Sequence, residues 1–295
     1  TILGSLLRGP LLSLARSGGA RRLAVKLPVT AKVVARFVPG ETVELCLDAV
    51  RALAADGLLS TIDHLGEDTA SEADAAAIRD AYLKLLAALQ EAGLTEVAEV
   101  SVKLTALGLG LPDGRRIALT NAAAICAAAQ TAGTTVTIDA EDHTTSDTTL
   151  GILAELRREF PGTGGVLNGE GSRIRLCKGA YAEPAEVAHQ TREEVTTAYL
   201  ACAKILLDGG GLPMLATHDP QVITVIPDLA RAAGRRPGDY EFQMLYGIRT
   251  DEQARLTALG HRMRVYVPYG IDWYGYFTRR LAERPANLLF FGRAL

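Results

Sequence analysis

The chain has 295 residues, 48% of them hydrophobic, and a formal net charge of −3. This is long enough for one large domain with a sizeable core, and no linker-like stretch divides it. The near-balanced charge excludes a protein drawn to nucleic acid by a basic surface, and no apolar run reaches the ~20 residues of a membrane-spanning helix.

The first 36 residues are basic and acid-free, with Arg8, Arg16, Arg21, Arg22, Lys26, Lys32 and Arg36 set among Leu, Ala and Gly. They fit a transit peptide, a helix lying on a membrane surface, or amphipathic helices packed beside the next domain. Residues 1–41 are read as an N-terminal helical extension, offering a peripheral contact to the inner membrane, and 42–295 as the main domain. From there helices and strands alternate. A helix over Glu41–Asp56 precedes the strand Leu58–Ile62, which runs into Asp63-His-Leu-Gly-Glu67. A helix over Ser71–Ala92 leads to Val100–Leu104, carrying Lys103, and one over Thr120–Ala132 to Val136–Ile138 and Asp139.

The helix Asp147–Phe160 is followed by Ile174–Leu176 and Cys177-Lys-Gly-Ala-Tyr181, and the helix Pro184–Leu207 by Met214–Ala216 and Thr217-His218-Asp219. The last elements are the helix Asp219–Ala233, the strand Phe242–Leu245, the helix Asp251–Leu259, the strand Met263–Val267 and the helix Trp273–Glu283. Apolar residues recur at helical spacing in the helices, and Thr42, Ser71, Thr120 and Asp219 are candidate caps. Buried parallel strands read as short apolar runs, and here each run ends in reactive side chains. The expected fold is therefore α/β, a (β/α)8 barrel of TIM type with its site at the C-terminal rim.

Several chemistries have no motif. There is no HExxH or G-x-S-x-G, the five histidines are scattered, and no metal site is expected. Gly108–Gly114 lacks dinucleotide spacing and reads as a turn. Cys46, Cys126, Cys177 and Cys202 form no C-x-x-C pair and read as free, mostly buried thiols of a cytoplasmic protein. The rim suits an anionic small molecule or an organic cofactor. On the last helix, Glu283 stands three and four residues beyond Arg280 and Arg279, a spacing that lets one acid serve both arginines.

Eight motifs in order resemble the flavin-dependent proline dehydrogenase family, found alone or as the first domain of bifunctional proline-utilisation enzymes. They are Asp63–Glu67, Ser101–Leu107, Asp139–Asp142, Arg175–Tyr181, Ala216–Asp219, Glu241–Gly247, Arg264–Pro268 and Tyr276–Glu283, preceded by Arg36–Glu41. The resemblance implies FAD-dependent oxidation of L-proline to Δ1-pyrroline-5-carboxylate, with electrons passed to a quinone. It implies that Arg279, Arg280 and Lys103 hold the substrate carboxylate, that Glu67 and Glu283 brace the arginines, and that Leu245, Tyr266 and Tyr276 line the ring. It assigns Asp139, Arg175, Lys178, Gly179, Ala180, Thr217, His218 and Gln243 to the cofactor, with Tyr181 beside either ligand. The chain departs from the family after Gly164-Gly-Val-Leu167, where five residues precede Arg173. They span at most ~18 Å and leave no room for a crossover helix, so either the fourth β/α unit is truncated or a segment is missing from the sequence. Two other readings stay open: a Schiff-base aldolase barrel using Lys103 or Lys178, and a barrel that binds without turnover.

Overall fold

A computed structural model describes residues 34–66, 69–165, 171–179, 181 and 183–283, the side chains of 279–283 excepted. In chain order the elements are α1 Val43–Ala55, β1 Leu59–His64, α2 Glu72–Glu91, β2 Ala98–Lys103, α3 Gly114–Ala132, β3 Val136–Asp139, α4 Ser146–Glu159 and β4 Arg173–Cys177. They continue with α5 Arg192–Asp208, β5 Leu212–Ala216, α6 Pro220–Ala232, β6 Glu241–Leu245, α7 Thr250–Ala258, β7 Arg262–Tyr269 and α8 Trp273–Glu283. All strand pairs are parallel, and the seven-stranded sheet has the order β3-β2-β1-β7-β6-β5-β4.

The sheet's two edges, β3 and β4, are joined by a two-residue remnant. Gly164 donates to the Val136 carbonyl at 2.8 Å and accepts from Ile138 N–H at 3.0 Å, while Gly165 donates to the Arg173 carbonyl at 2.8 Å. The ring therefore closes with Gly164–Gly165 in the fourth strand's place. Small residues suit this place: a Cβ on Gly165 would stand 2.2 Å from the end of the Leu153 side chain, which would have to shift, and one on Gly164 would stand 3.0 Å from the Thr137 hydroxyl. Among the described residues, Gly164 and Gly165 alone stand between the edge strands β3 and β4.

Side chains alternate across each strand. In β2, Ala98, Val100 and Val102 face the helices and enter the main apolar core, whereas Glu99, Ser101 and Lys103 face the barrel axis. The apolar layer between sheet and helices drives closure through area removed from water. A smaller cluster joins Val34, Phe37 and Val38 to Leu65 and to Trp273, Tyr274, Tyr276 and Phe277 of α8. Trp273 Nε1 donates to Glu41 at 2.8 Å, and the Phe37 and Phe277 rings are 6.0 Å apart. The described end of the N-terminal extension thus packs against the last helix. Residues 1–33 lie outside the described part.

Caps explain where helices begin. Thr42, Ser71 and Asp219 cap α1, α2 and α6 with their side chains, as their sequence positions predict. Thr120 does not start a helix. α3 begins six residues earlier at Gly114, after Asp113 in the left-handed region at φ 58°. α5 begins at Arg192 rather than Pro184, because Thr191 and Glu194 form a reciprocal capping box. Thr191→Ala is expected to cost about 1 kcal/mol, read as a lower urea midpoint with an unchanged slope. Of the four free cysteines, Cys46 and Cys126 are buried and Cys177 and Cys202 exposed, so only half are core thiols.

Candidate active site

The inward rows of the strands build the site from the floor upward. Lowest is Glu99, 2% exposed, which accepts hydrogen bonds from Thr61 at 2.8 Å, Thr135 at 2.8 Å and Thr137 at 3.3 Å. It pairs directly with Arg173 and lies 3.9 Å from both Arg175 and Arg264. Burial pushes its carboxyl pKa up, but Arg264, Arg173, Arg175 and the Thr135 hydroxyl together bring it down to about 2. Opposite, the fully buried Glu241 accepts from Arg264 Nε at 2.8 Å and Gln243 Nε2 at 2.7 Å.

Above the floor, the strand ends converge on Arg175. Its Nε donates to Gln243 Oε1 at 2.7 Å, and its Nη1 donates to Ser101 Oγ at 2.9 Å and to Asp139. The other oxygen of Asp139 accepts from the Tyr266 hydroxyl at 2.9 Å. The guanidinium sits 5.2 Å from the Tyr266 ring centroid, a cation–π contact. Burial first, then the Asp139 and Asp63 carboxylates, hold the Tyr266 hydroxyl well above its usual range, so it stays a neutral donor. Arg175 Nη2 is buried and meets no hydrogen-bond acceptor among the described residues. A neighbouring pair completes this layer: Lys103 Nζ donates to Asp63 at 2.8 Å. Tyr82, reaching in from α2, donates to the Ser101 carbonyl at 2.7 Å and lies 3.3 Å from Asp63.

On the far rim, Lys178 Nζ donates to Asp219 and to Thr196, both at 2.8 Å. Asp219 is held low despite burial, because Lys178 and the Gln221 N–H stabilise its anion. His218 Nε2 accepts the Leu245 N–H at 2.9 Å, which fixes the proton of the neutral ring on Nδ1. The Thr217 hydroxyl caps the turn by accepting the Asp219 N–H at 3.1 Å. A Cβ on Gly179 would meet nothing within 4 Å, so this part of the rim is open, and Tyr181 is 49% exposed beside it.

Lys103, Asp139, Arg175, Gln243 and Tyr266 of the sequence-predicted set are thus linked within one cluster. Lys178, Thr217 and His218 form a second group on the adjoining strand ends β4–β5, with Leu245 joined to it through His218. Tyr276 is buried on α8 in the cluster that anchors the N-terminal extension. Glu67 and Ala180 lie outside the described residues, as do the side chains of Arg279, Arg280 and Glu283. Sequence reading passed over Asp63, Ser101, Glu99, Arg173, Glu241 and Arg264 as site components. The available signal was the period-two alternation of β2, β4, β6 and β7, whose inward rows begin with polar residues at every second position. Among the described residues no group of His, Cys, Asp and Glu is arranged to hold a metal ion, and no helix is long and apolar enough to cross a membrane.

Comparison with known proteins gives this geometry a context. The profile described as proline dehydrogenase matches residues 46–169 and 166–293, two segments that meet where the fourth strand and helix are cut short. Proline dehydrogenase 1 of Bacillus subtilis is 39% identical over 269 residues, covering 86% of this chain and 88% of the relative. Proline dehydrogenase of Deinococcus radiodurans is 40% identical over 272 residues, covering 86% and 87%. Among solved structures, proline utilization A of Bdellovibrio bacteriovorus, inactivated by N-propargylglycine, superposes with a TM-score of 0.79 at 23% identity. This match covers 86% of this chain and 33% of that one. It establishes the barrel fold, and the sequence matches establish descent: the chain belongs to the proline dehydrogenase family.

Proposed function

We propose that the protein oxidises L-proline to Δ1-pyrroline-5-carboxylate with FAD as its cofactor and a quinone as electron acceptor. The observation that carries this reading is the convergence of Arg175, Asp139, Tyr266 and the Lys103–Asp63 pair at the C-terminal end of one barrel. The residues present suit the cofactor. Arg175 brings a buried guanidinium to the strand ends, a Cβ on Gly179 would meet nothing within 4 Å among the described residues, and His218 accepts the Leu245 N–H. In this reading Arg175, Lys178, Gly179, Ala180, Thr217, His218 and Gln243 hold the FAD, which when bound supplies hydride acceptance at its N5.

The chain's own groups bind and orient. Arg279 and Arg280 grip the proline carboxylate, Lys103 adds a third positive charge, and Glu67 and Glu283 steady the arginines. Tyr266, Tyr276 and Leu245 wall the ring. Positive charge around the bound zwitterion disfavours the protonated amine, lowers its pKa and frees the nitrogen lone pair that hydride departure needs. Both oxygens of Asp139 already accept hydrogen bonds, which gives it an orienting role and leaves the amine proton to water. Fixing the reacting carbon at short range is worth several powers of ten in rate. Residues 42–295 form the catalytic barrel, and the basic residues of 1–41 touch the membrane where the quinone resides, from the cytoplasmic side.

A Schiff-base lysine needs surroundings that deprotonate it, yet Lys103 and Lys178 are each 2.8 Å from a carboxylate. Retention of barrel closure and of the rim cluster likewise favours turnover over simple binding. The test is direct: purified protein, FAD, proline and a quinone should yield a cyclic imine trapped by ortho-aminobenzaldehyde. No proline-dependent product would contradict the proposal. Tyr276→Ser is expected to raise kcat/KM for hydroxyproline relative to proline by roughly tenfold, by making room for a ring hydroxyl. An unchanged ratio would remove Tyr276 from the ring wall.

A further inference from the structure

Glu241 is fully buried on β6 beneath the rim groups. It accepts from Arg264 Nε at 2.8 Å and from Gln243 Nε2 at 2.7 Å. Gln243, two residues along the strand and so on the same face, accepts from Arg175 Nε at 2.7 Å. The polarity of this chain of contacts is forced at both ends. A guanidinium N–H only donates and a carboxylate only accepts, so the carboxamide between them has one productive orientation. Turned over, it would set two donors face to face at Arg175 and two acceptors at Glu241. Gln243 is therefore a bridge whose direction is set by Glu241.

We infer that Glu241 is a positioning residue for Arg175. By orienting the Gln243 carboxamide it keeps the guanidinium where Ser101 and Asp139 take the Nη1 hydrogens and Nη2 faces Glu99 at 3.9 Å. The consequence for catalysis rests on the flavin reading above; the positioning itself does not. The competing account is that Glu241 serves only as counter-charge to Arg264, which also donates to the Ser60 carbonyl at 2.8 Å, and to Arg262 at 3.8 Å. The two accounts part at Gln243.

The experiment follows hydrogen exchange of the Arg175 Nε–H in ¹⁵N-labelled, purified protein, with the resonance assigned by its loss in Arg175→Lys. Glu241→Leu, which removes the acceptor, is expected to speed exchange by about tenfold, the loss of one hydrogen bond to a charged group. Glu241→Gln removes the charge but keeps an oxygen able to accept from both Gln243 Nε2 and Arg264 Nε, as Oε1 does, so its exchange should stay near the wild-type rate. In FAD-loaded enzyme, kcat for proline should follow the same order while KM changes little, because the carboxylate grip lies on α8.

Wild-type exchange in Glu241→Leu, or equally fast exchange in Glu241→Gln and Glu241→Leu, would overturn the inference. If Glu241→Leu does not fold, the Gln243 Nε2 hydrogens of the wild type decide: protection of one of them supports the bridge to Glu241 and free exchange of both overturns it. A protein that takes up no FAD would end the flavin reading, and the exchange rates would still decide this one.

Discussion

Glu99→Gln should destabilise the protein by about 3–5 kcal/mol at neutral pH, the usual cost of leaving a buried charge cluster uncompensated. Glu99 is the shared partner of Arg173, Arg175 and Arg264 at the barrel floor. Without its charge, three guanidinium groups face one another with Glu241 and Asp139 as remaining counter-charges. The same group makes stability depend on acid in a definite direction. Its folded pKa, about 2, lies below the ordinary value of 4.5, so its stabilisation is fully present above 4.5. It fades as pH falls from there through about 2. That interval corresponds to about 3 kcal/mol. Urea melts at successive pH values should therefore show wild type and variant converging in acid. A variant as stable as wild type at pH 7, or a constant difference down to pH 2, would contradict this placement of Glu99.

Arg280→Met should raise the apparent KM for proline by about 10- to 100-fold, since a charge-assisted hydrogen bond contributes about 1.5–3 kcal/mol. α8 starts at Trp273, directly after β7 ends at Tyr269, so its first turns stand at the mouth of the barrel. Trp273 and Phe277 pin the helix to Phe37 and Glu41, which keeps residues 279 and 280 at a defined height along it. Adjacent residues on a helix project about 100° apart, and two such guanidinium groups suit one carboxylate approached from two sides. The substitution removes a binding interaction made before reaction, so kcat should fall less than kcat/KM. An unaltered apparent affinity would take Arg280 out of the carboxylate grip.

The strand positions and the chemistry at their ends were legible because buried parallel strands are short, apolar and abruptly terminated. Asp139, Lys103 and Arg175 stand at such ends and meet in one cluster. The floor was not legible in the same way. Glu99, Arg173 and Glu241 stand at or near the starts of strands whose outward rows carry the apolar signal, and an apolar-run criterion trims them off as boundaries, while Arg264 lies within the run Met263–Val267 with no local cue to its partner. Alternation in Ala98-Glu-Val-Ser-Val-Lys103 was the cue that an ionic interior exists. Helix starts moved where local chemistry overrides periodicity, as with the Thr191–Glu194 box and the left-handed Asp113. Counting residues between Gly164 and Arg173 revealed the truncated fourth unit. Its replacement by a two-residue bridge was beyond sequence reading, because two residues have no period and the contact depends on two absent Cβ atoms.

The proposed activity depends on this barrel presenting proline to a flavin. The most direct test is an anaerobic titration of the FAD-reconstituted protein with L-proline, followed in the visible spectrum. The expected result is a yellow protein whose flavin absorption bleaches with proline and recovers on addition of a quinone. A protein that stays colourless after reconstitution, or a yellow one whose spectrum proline leaves unchanged, would contradict it.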